Sequence, residues 1–248
     1  RSVMGGEAKS LPFLLAQLHL LLHGMHAPKL APGNALRFRL NEIGEAERVN
    51  VILTNPPFGG EEEAGILTNF PEDRRTAETA LLFLQLIMRR LKRAGRGRAA
   101  VVVPHGTLFG DGIGARIKAD LLQQFNLHTV VRLCEGVFAP YTDIPANLIF
   151  FDTTGPTRDI WYYEMPRPEG RKKYSKTAPM AWEEFAPCLD WWQDRQESER
   201  AWKVDGPSLI QRDADGRVIA CNLDLKNPHA LEAEDHRKPL EIVEAITA

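Results

Sequence analysis

Cysteine is scarce in this chain of 248 residues: Cys134, Cys188 and Cys221 are odd in number, far apart and in no CxxC pair. That usage argues against a disulfide framework or a cysteine metal site and fits reduced thiols in a cytoplasmic protein. Charge bias is also lacking, since 31 basic side chains face 33 acidic ones and the net charge is −2. Global attraction to nucleic acid is thereby excluded, so any DNA contact must be local or supplied by a partner. No apolar run reaches membrane length and the first residues do not read as a signal peptide, so no membrane association is expected. Internal repeats are absent. His19, His23 and His26 stand at spacings of four and three, but no HExxH glutamate accompanies them, so no metal is expected.

What is present is 44% hydrophobic residues, enough for a sizeable core. A short strand is predicted from Ser2 to Gly6, ending at Glu7. Ser10 caps a Leu-rich helix that has Pro12 in its first turn and Gly24 at its end. The turn Pro32-Gly33-Asn34 precedes a second short strand, Ala35 to Phe38. Val49 to Leu53 is apolar without alternation, which predicts a strand covered on both faces. Residues 61–75 form a polar loop, Glu61 to Glu63 being its solvated part, and 77–93 a helix with basic residues at its C-terminal end. Strands at 98–103, 129–133 and 147–151 flank a helix at 113–125.

This alternation predicts a doubly wound α/β sheet over residues 1–155. The strand Ile160 to Met165 then opens a C-terminal extension, 156–248, that packs on the domain or on partners. Trp182, Trp191, Trp192 and Trp202 suit anchoring of that extension and a partner interface equally well. Arg171, Lys172, Lys173 and Lys176 could touch phosphates or form a solvated basic turn.

The strand that begins at Val49 ends in Asn55-Pro56-Pro57-Phe58. In parallel α/β sheets ligands bind at the carboxyl ends of strands, which is where this tetrapeptide falls. The prolines fix the backbone, so the Asn55 side chain and the Pro56 carbonyl can point the same way from a stiff frame. Two converging acceptors suit a planar amino group held by both hydrogens, and Phe58 offers a face for a ring. Hydrogen bonds to both N–H groups favour a pyramidal nitrogen and free its lone pair for attack on an electrophilic carbon. The plainer alternative is a strand stop, with Phe58 plugging the core.

Asn-Pro-Pro-Phe after an apolar strand resembles the motif of S-adenosylmethionine-dependent enzymes that methylate adenine N6. The surroundings resemble the modification subunits of type I restriction systems more closely. LLLHG (20–24), NPPFG (55–59), RAAVVVPHGTLF (98–109) and LHTVVRLCEGVFAPYTDIPANLIFF (127–151) carry the resemblance. WYYEM (161–165), GRKKYSKT (170–177) and LDLKNP (223–228) extend it over nearly the whole chain.

The resemblance implies a Rossmann-like methyltransferase fold and, for the full-length protein, DNA adenine-N6 methylation in the cytoplasm. The implied cofactor is S-adenosyl-L-methionine; the implied partners are DNA, a specificity subunit and a restriction subunit. Asn55, Pro56, Pro57 and Phe58 would form the catalytic motif, with Asn55 also beside the cofactor and Phe58 stacked on a flipped adenine. Tyr141 would be a second wall of the base pocket. Glu7 would accept hydrogen bonds from the cofactor's ribose hydroxyls, and Asn34, where the family usually has Asp, would lie near its adenine.

The family's glycine-rich cofactor loop precedes the strand ending at Glu7, and the chain opens on Arg1. An N-terminally truncated domain is therefore expected, inactive by itself, that either leaves a gap between the strands ending at Glu7 and Asn55 or closes the sheet differently. Gly110-Asp111-Gly112-Ile113-Gly114 does not replace that loop and is expected to be a flexible loop near DNA. Two rival readings are a protein-glutamine or RNA amino-methyltransferase and a non-catalytic assembly or DNA-binding subunit of the same fold.

Overall fold

A computed structural model describes residues 3–60 and 62–229. Ser2, Glu61 and the part of the predicted extension from residue 230 onward lie outside the described residues. β1 (Met4–Glu7) leads into α1 (Ser10–Leu22), with Pro12 in the first turn, where its missing N–H costs nothing. Ser10 is the first helical residue rather than the cap. Lys9 occupies the cap position and gives its N–H to the Glu7 carboxylate at 2.8 Å. Gly24, at φ +80°, takes the left-handed turn that ends the helix.

β2 (Lys29–Pro32) pairs parallel to β1, with Glu7 opposite Pro32. The strand expected at Ala35 to Phe38 is instead a 3-10 turn over Ala35–Arg37. The cause is local. Gly33 turns the chain at φ +108°, and the Asn34 side-chain oxygen accepts the Leu36 N–H at 2.9 Å. Asparagine offers this alternative to ladder pairing readily. The turn delivers Leu36 to a core formed with Leu40, Ile43, Phe70, Leu82 and Leu86.

β3 (Val51–Thr54), α2 (Ala64–Leu67), α3 (Thr79–Arg90), β4 (Arg98–Pro104), α4 (Gly112–Gln124), β5 (Asn126–Arg132) and β6 (Ala146–Asp152) follow. Beyond them come β7 (Asp159–Glu164), α5 (Ala186–Gln193), β8 (Ala201–Asp205) and the hairpin β9 (Ile210–Arg212) with β10 (Val218–Cys221). The central sheet has the order β3-β4-β6-β5-β7-β8. β3 runs parallel to β4 and β5 to β7, while β6 and β8 run antiparallel to their neighbours. Helices α3 and α4 cover one face, around Leu84, Leu121 and Phe151. Helix α5 and the loop after β5 cover the other. Cover on both faces is the doubly wound arrangement that the alternation of elements requires. No helix among the described residues is long and apolar enough to cross a membrane.

β7 and β8 come from the predicted extension, yet both are strands of the central sheet. Ile160, Tyr162 and Trp202 share one core with α3 and α4. Residue 155 therefore falls between two strands of one sheet. Trp202 is buried and stacks on Tyr162 with ring centroids 5.2 Å apart, and Trp191 and Trp192 pack from α5 onto the sheet. Anchoring accounts for all three of these tryptophans, while Trp182 remains exposed.

β3 departs from expectation. It is an edge strand, and only Ile52 packs against the core. Val51 and Leu53 point to the other face, where Leu53 is 77% exposed. α1 is uncovered in the same way, since none of its residues is buried. β1 and β3 lie in separate sheets, and no described strand joins them.

Candidate active site

Parallel pairing of β3 with β4 sets Thr54 opposite Val101, so Asn55 leaves the sheet at its carboxyl end. Asn55 and Pro57 are exposed, Pro56 is buried and Phe58 is half-buried. The Phe58 ring enters the core of the α5 face and meets Phe138 edge-on, with centroids 5.1 Å apart. Such an edge contact fixes ring orientation and adds about 0.5–1.5 kcal/mol beyond burial. Sequence reasoning missed Phe138. Its signal was Val137-Phe138-Ala139-Pro140-Tyr141, an aromatic-rich connection between β5 and β6 at the same end of the sheet.

Tyr141 lies three residues beyond Phe138 and is 93% exposed, so its ring does not close on Phe58. Glu7 and Asn34 are brought together, at the carboxyl ends of the paired strands β1 and β2. The Gly33 N–H donates to the Glu7 carbonyl at 2.9 Å. One Glu7 carboxylate oxygen is taken by the Lys9 backbone N–H. The Asn34 oxygen caps the 3-10 turn, and its amide nitrogen donates to the Glu62 carboxylate at 2.9 Å. Glu62 lies in the loop that follows Phe58. This hydrogen bond ties the cofactor-side candidates to the segment leaving the NPPF motif, although the two lie on different sheets. The Thr79 hydroxyl donates to the carbonyl of Gly60, in the same loop, at 2.9 Å, which fastens the loop to the start of α3.

The glycines at 110–114 form no flexible loop. A Cβ on Gly110 would lie 2.6 Å from the Asn222 backbone, so only glycine admits the close approach of the two chains. The Cys221 N–H donates to the Gly110 carbonyl at 3.0 Å, and the Leu223 N–H to the Leu108 carbonyl at 2.9 Å. A strap, residues 221–225, thus crosses the turn that follows β4. Its Asp224 carboxylate pairs with Arg132 and stands 3.5 Å from His105 Nε2. Lys118, almost fully buried, donates its ammonium to the carbonyls of Thr107 at 3.2 Å and of Phe109. Burial pushes that lysine's pKa down, and the two carbonyls replace the water it has lost. His105, Arg132, Lys118 and Asp224 thus tie the turn after β4 to β5, α4 and the strap. Residues scattered over 120 positions gave the sequence no spacing signal for this cluster.

The N-6 DNA methylase family matches residues 1–219. The chain belongs to that family. It is 47% identical over 244 residues to the type I restriction enzyme EcoEI methylase subunit of Escherichia coli, covering 95% of this chain and 48% of that protein. Among solved structures, one described as a modification subunit of a type I restriction enzyme from Vibrio vulnificus YJ016 is 63% identical, with a TM-score of 0.91. That match covers 95% of this chain and 50% of the other. A chain from a structure of a type I restriction-modification system is 41% identical, with a TM-score of 0.83, and covers all of this chain and 51% of that one. The chain spans about half the length of these relatives. The fold is that of S-adenosylmethionine-dependent methyltransferases, as the resemblance implied.

Proposed function

We propose that this chain is the base-holding part of a cytoplasmic DNA adenine-N6 methyltransferase, the modification subunit of a type I restriction-modification complex. Its partners would be DNA, a specificity subunit and a restriction subunit. The observation that carries this most is Asn55 standing exposed where β3 ends, with Phe58 seated half-buried against Phe138 directly beside it. The Asn55 amide oxygen and the Pro56 carbonyl would accept both hydrogens of an adenine amino group. The exposed part of Phe58 would take the face of the flipped base. Holding the amine pyramidal and away from water orients its lone pair without any general base, so the rate gain comes from positioning and desolvation.

S-adenosyl-L-methionine, when bound, supplies the methyl group. Glu7, with one carboxylate oxygen free of Lys9, fits a ribose hydroxyl. Asn34 fits more narrowly, because its oxygen already caps a turn and its nitrogen already holds Glu62. These groups suit the ribose and adenine of the cofactor, and among the described residues no glycine-rich loop follows a strand to receive its amino-acid end.

The test is Asn55→Ala in the full-length protein assembled with its specificity subunit. Removing one of two acceptors should cut methyl transfer to adenine by about 10² or more. Because Asn55 is exposed, the melting temperature should hold. Near-normal turnover would overturn the assignment.

A further inference from the structure

Residues 167–177 carry five basic side chains, Arg167, Arg171, Lys172, Lys173 and Lys176, against the single acid Glu169. That is a net charge of +4 within a chain whose net charge is −2. All five are exposed. We propose that this segment is a DNA-backbone contact that grips phosphates beside the target base. The assignment rests on the methyltransferase role proposed above and deepens it by naming the surface on which the duplex lies.

Its placement is the first support. The loop that follows β5 touches the NPPF motif on one side, where Phe138 meets Phe58. On its other side the same loop holds the basic segment. The Tyr174 N–H donates to the Glu135 carbonyl at 3.1 Å, and Lys173 Nζ lies 2.7 Å from the Asp143 carboxylate. A Cβ on Gly136 would fall 2.2 Å from the Tyr174 carbonyl oxygen, so backbone rests on backbone there. One loop therefore sets the distance between the base-holding aromatic and the positive charges.

Rigidity is the second support. Tyr174 is buried, with its hydroxyl on the Glu184 carboxylate, and hydrogen bonds at 3.1 Å in both directions between Ser175 and Ala178 close the turn. Arg171 lies over the Tyr174 ring and donates to the Ala178 carbonyl at 3.1 Å. Arg167, Lys172 and Lys176, in contrast, have no ion pair or hydrogen bond among the described residues. These three charges, displayed without partners on a stiff frame, suit a polyanion: the backbone is already ordered, and only Lys173, held by Asp143 and Glu135, has an ion pair to break. Because phosphates repeat along the duplex, such contacts set register and add affinity without reading sequence.

The experiment uses the full-length methylase with its specificity subunit and a duplex that contains the target site. Lys172→Glu with Lys176→Glu should weaken DNA binding on the order of tenfold near 0.1 M salt, equally for target and non-target duplexes. The slope of log affinity against log salt should become shallower by about 1 to 2, roughly one for each phosphate no longer neutralised. Methyl transfer at sub-saturating DNA should fall in step with the weakened binding. Arg217→Glu, half that charge change on the β9–β10 turn, should leave the salt slope unchanged. Lys172→Gln with Lys176→Gln should give the same direction with a smaller shift. An unchanged slope and affinity in both double variants would overturn the proposal. So would failed assembly with the specificity subunit at an unchanged slope, which would put a protein on this surface. The wider reading fails separately, if the parent complex itself transfers no methyl group to adenine.

Discussion

The two flanks of the central sheet spend similar apolar material in opposite ways. On the β7–β8 flank, Trp202 is 2% exposed and stacks on Tyr162, and Trp191 and Trp192 bind α5 to the sheet. Arg195 lies over both indoles of α5, with its guanidinium carbon 5.6 and 4.4 Å from their ring centroids. On the β3 flank, Leu53 stands open, and beside the separate β1–β2 sheet α1 buries none of its leucines. Residue type is not the difference, because leucine runs through the core of the first flank as well. What differs is whether a second layer is present to take the face. Hydrophobicity makes burial favourable but cannot supply a partner, and a strand or helix face stabilises the fold only when something lies against it.

The sharpest way to break this comparison is Trp202→Ala. Losing a fully buried indole should cost about 3–5 kcal/mol, read as a fall in the denaturant midpoint at an unchanged m-value. A loss under about 1 kcal/mol would mean that the β7–β8 flank is packed no better than the open one.

Phe58 sits at the seam between the flanks and comes next. In the assembled enzyme Phe58→Ala should lower kcat/KM by an amount equivalent to about 1–3 kcal/mol, the scale of one base–aromatic stack. Phe58→Trp should keep part of the activity. If Phe58→Ala only lowers stability and leaves methyl transfer intact, the ring is core packing against Phe138 and nothing more.

Alkaline pH discriminates between the flanks by another route. Burial raises the Cys188 thiol in α5 from 9.0 to about 11. A raised folded-state pKa means that the unfolded chain ionises first. Stability is therefore complete below pH 9.0 and is lost as the pH climbs through about 11. Unfolding free energies from urea titrations across that window should fall by on the order of 1 kcal/mol per pH unit from this thiol. Cys188→Ala should flatten the fall, and an unaltered curve would show that the thiol is not shielded. The smallest expected effect is Leu53→Ser in this 248-residue chain. It should shift stability within about 0.5 kcal/mol, because the side chain is already in water. A loss of several kcal/mol would show that the β3 face is covered in solution.

Much of the architecture is legible in the residues. Alternating apolar runs place β4, β5, β6 and the helices α3 and α4 within a few residues, because both faces of those strands are covered and continuous runs report this directly. Ala35 to Phe38 misleads, since a capping asparagine directly after a glycine turn outweighs apolar content. The run Gly110 to Gly114 misleads in the opposite sense. Gly110 is there so that the strap from 221–225 can approach, and Gly112 and Gly114 belong to α4. The first outcome is written locally in Gly33 and Asn34, while the second depends on a chain segment more than a hundred residues away.

By itself the sequence determined the α/β class, the family motif and the place of Asn55-Pro56-Pro57-Phe58 at the mouth of a strand. Each follows from short-range periodicity and from proline's fixed geometry. Tertiary structure alone decided that Phe138 meets Phe58 and that β7 and β8 join the central sheet. It alone brought Asp224 to Arg132 and His105, and joined Asn34 to the loop beyond Phe58 through Glu62. Those contacts link residues from 28 to 119 positions apart. Their partners are selected by which strands pair and which faces meet, and no local pattern encodes that choice.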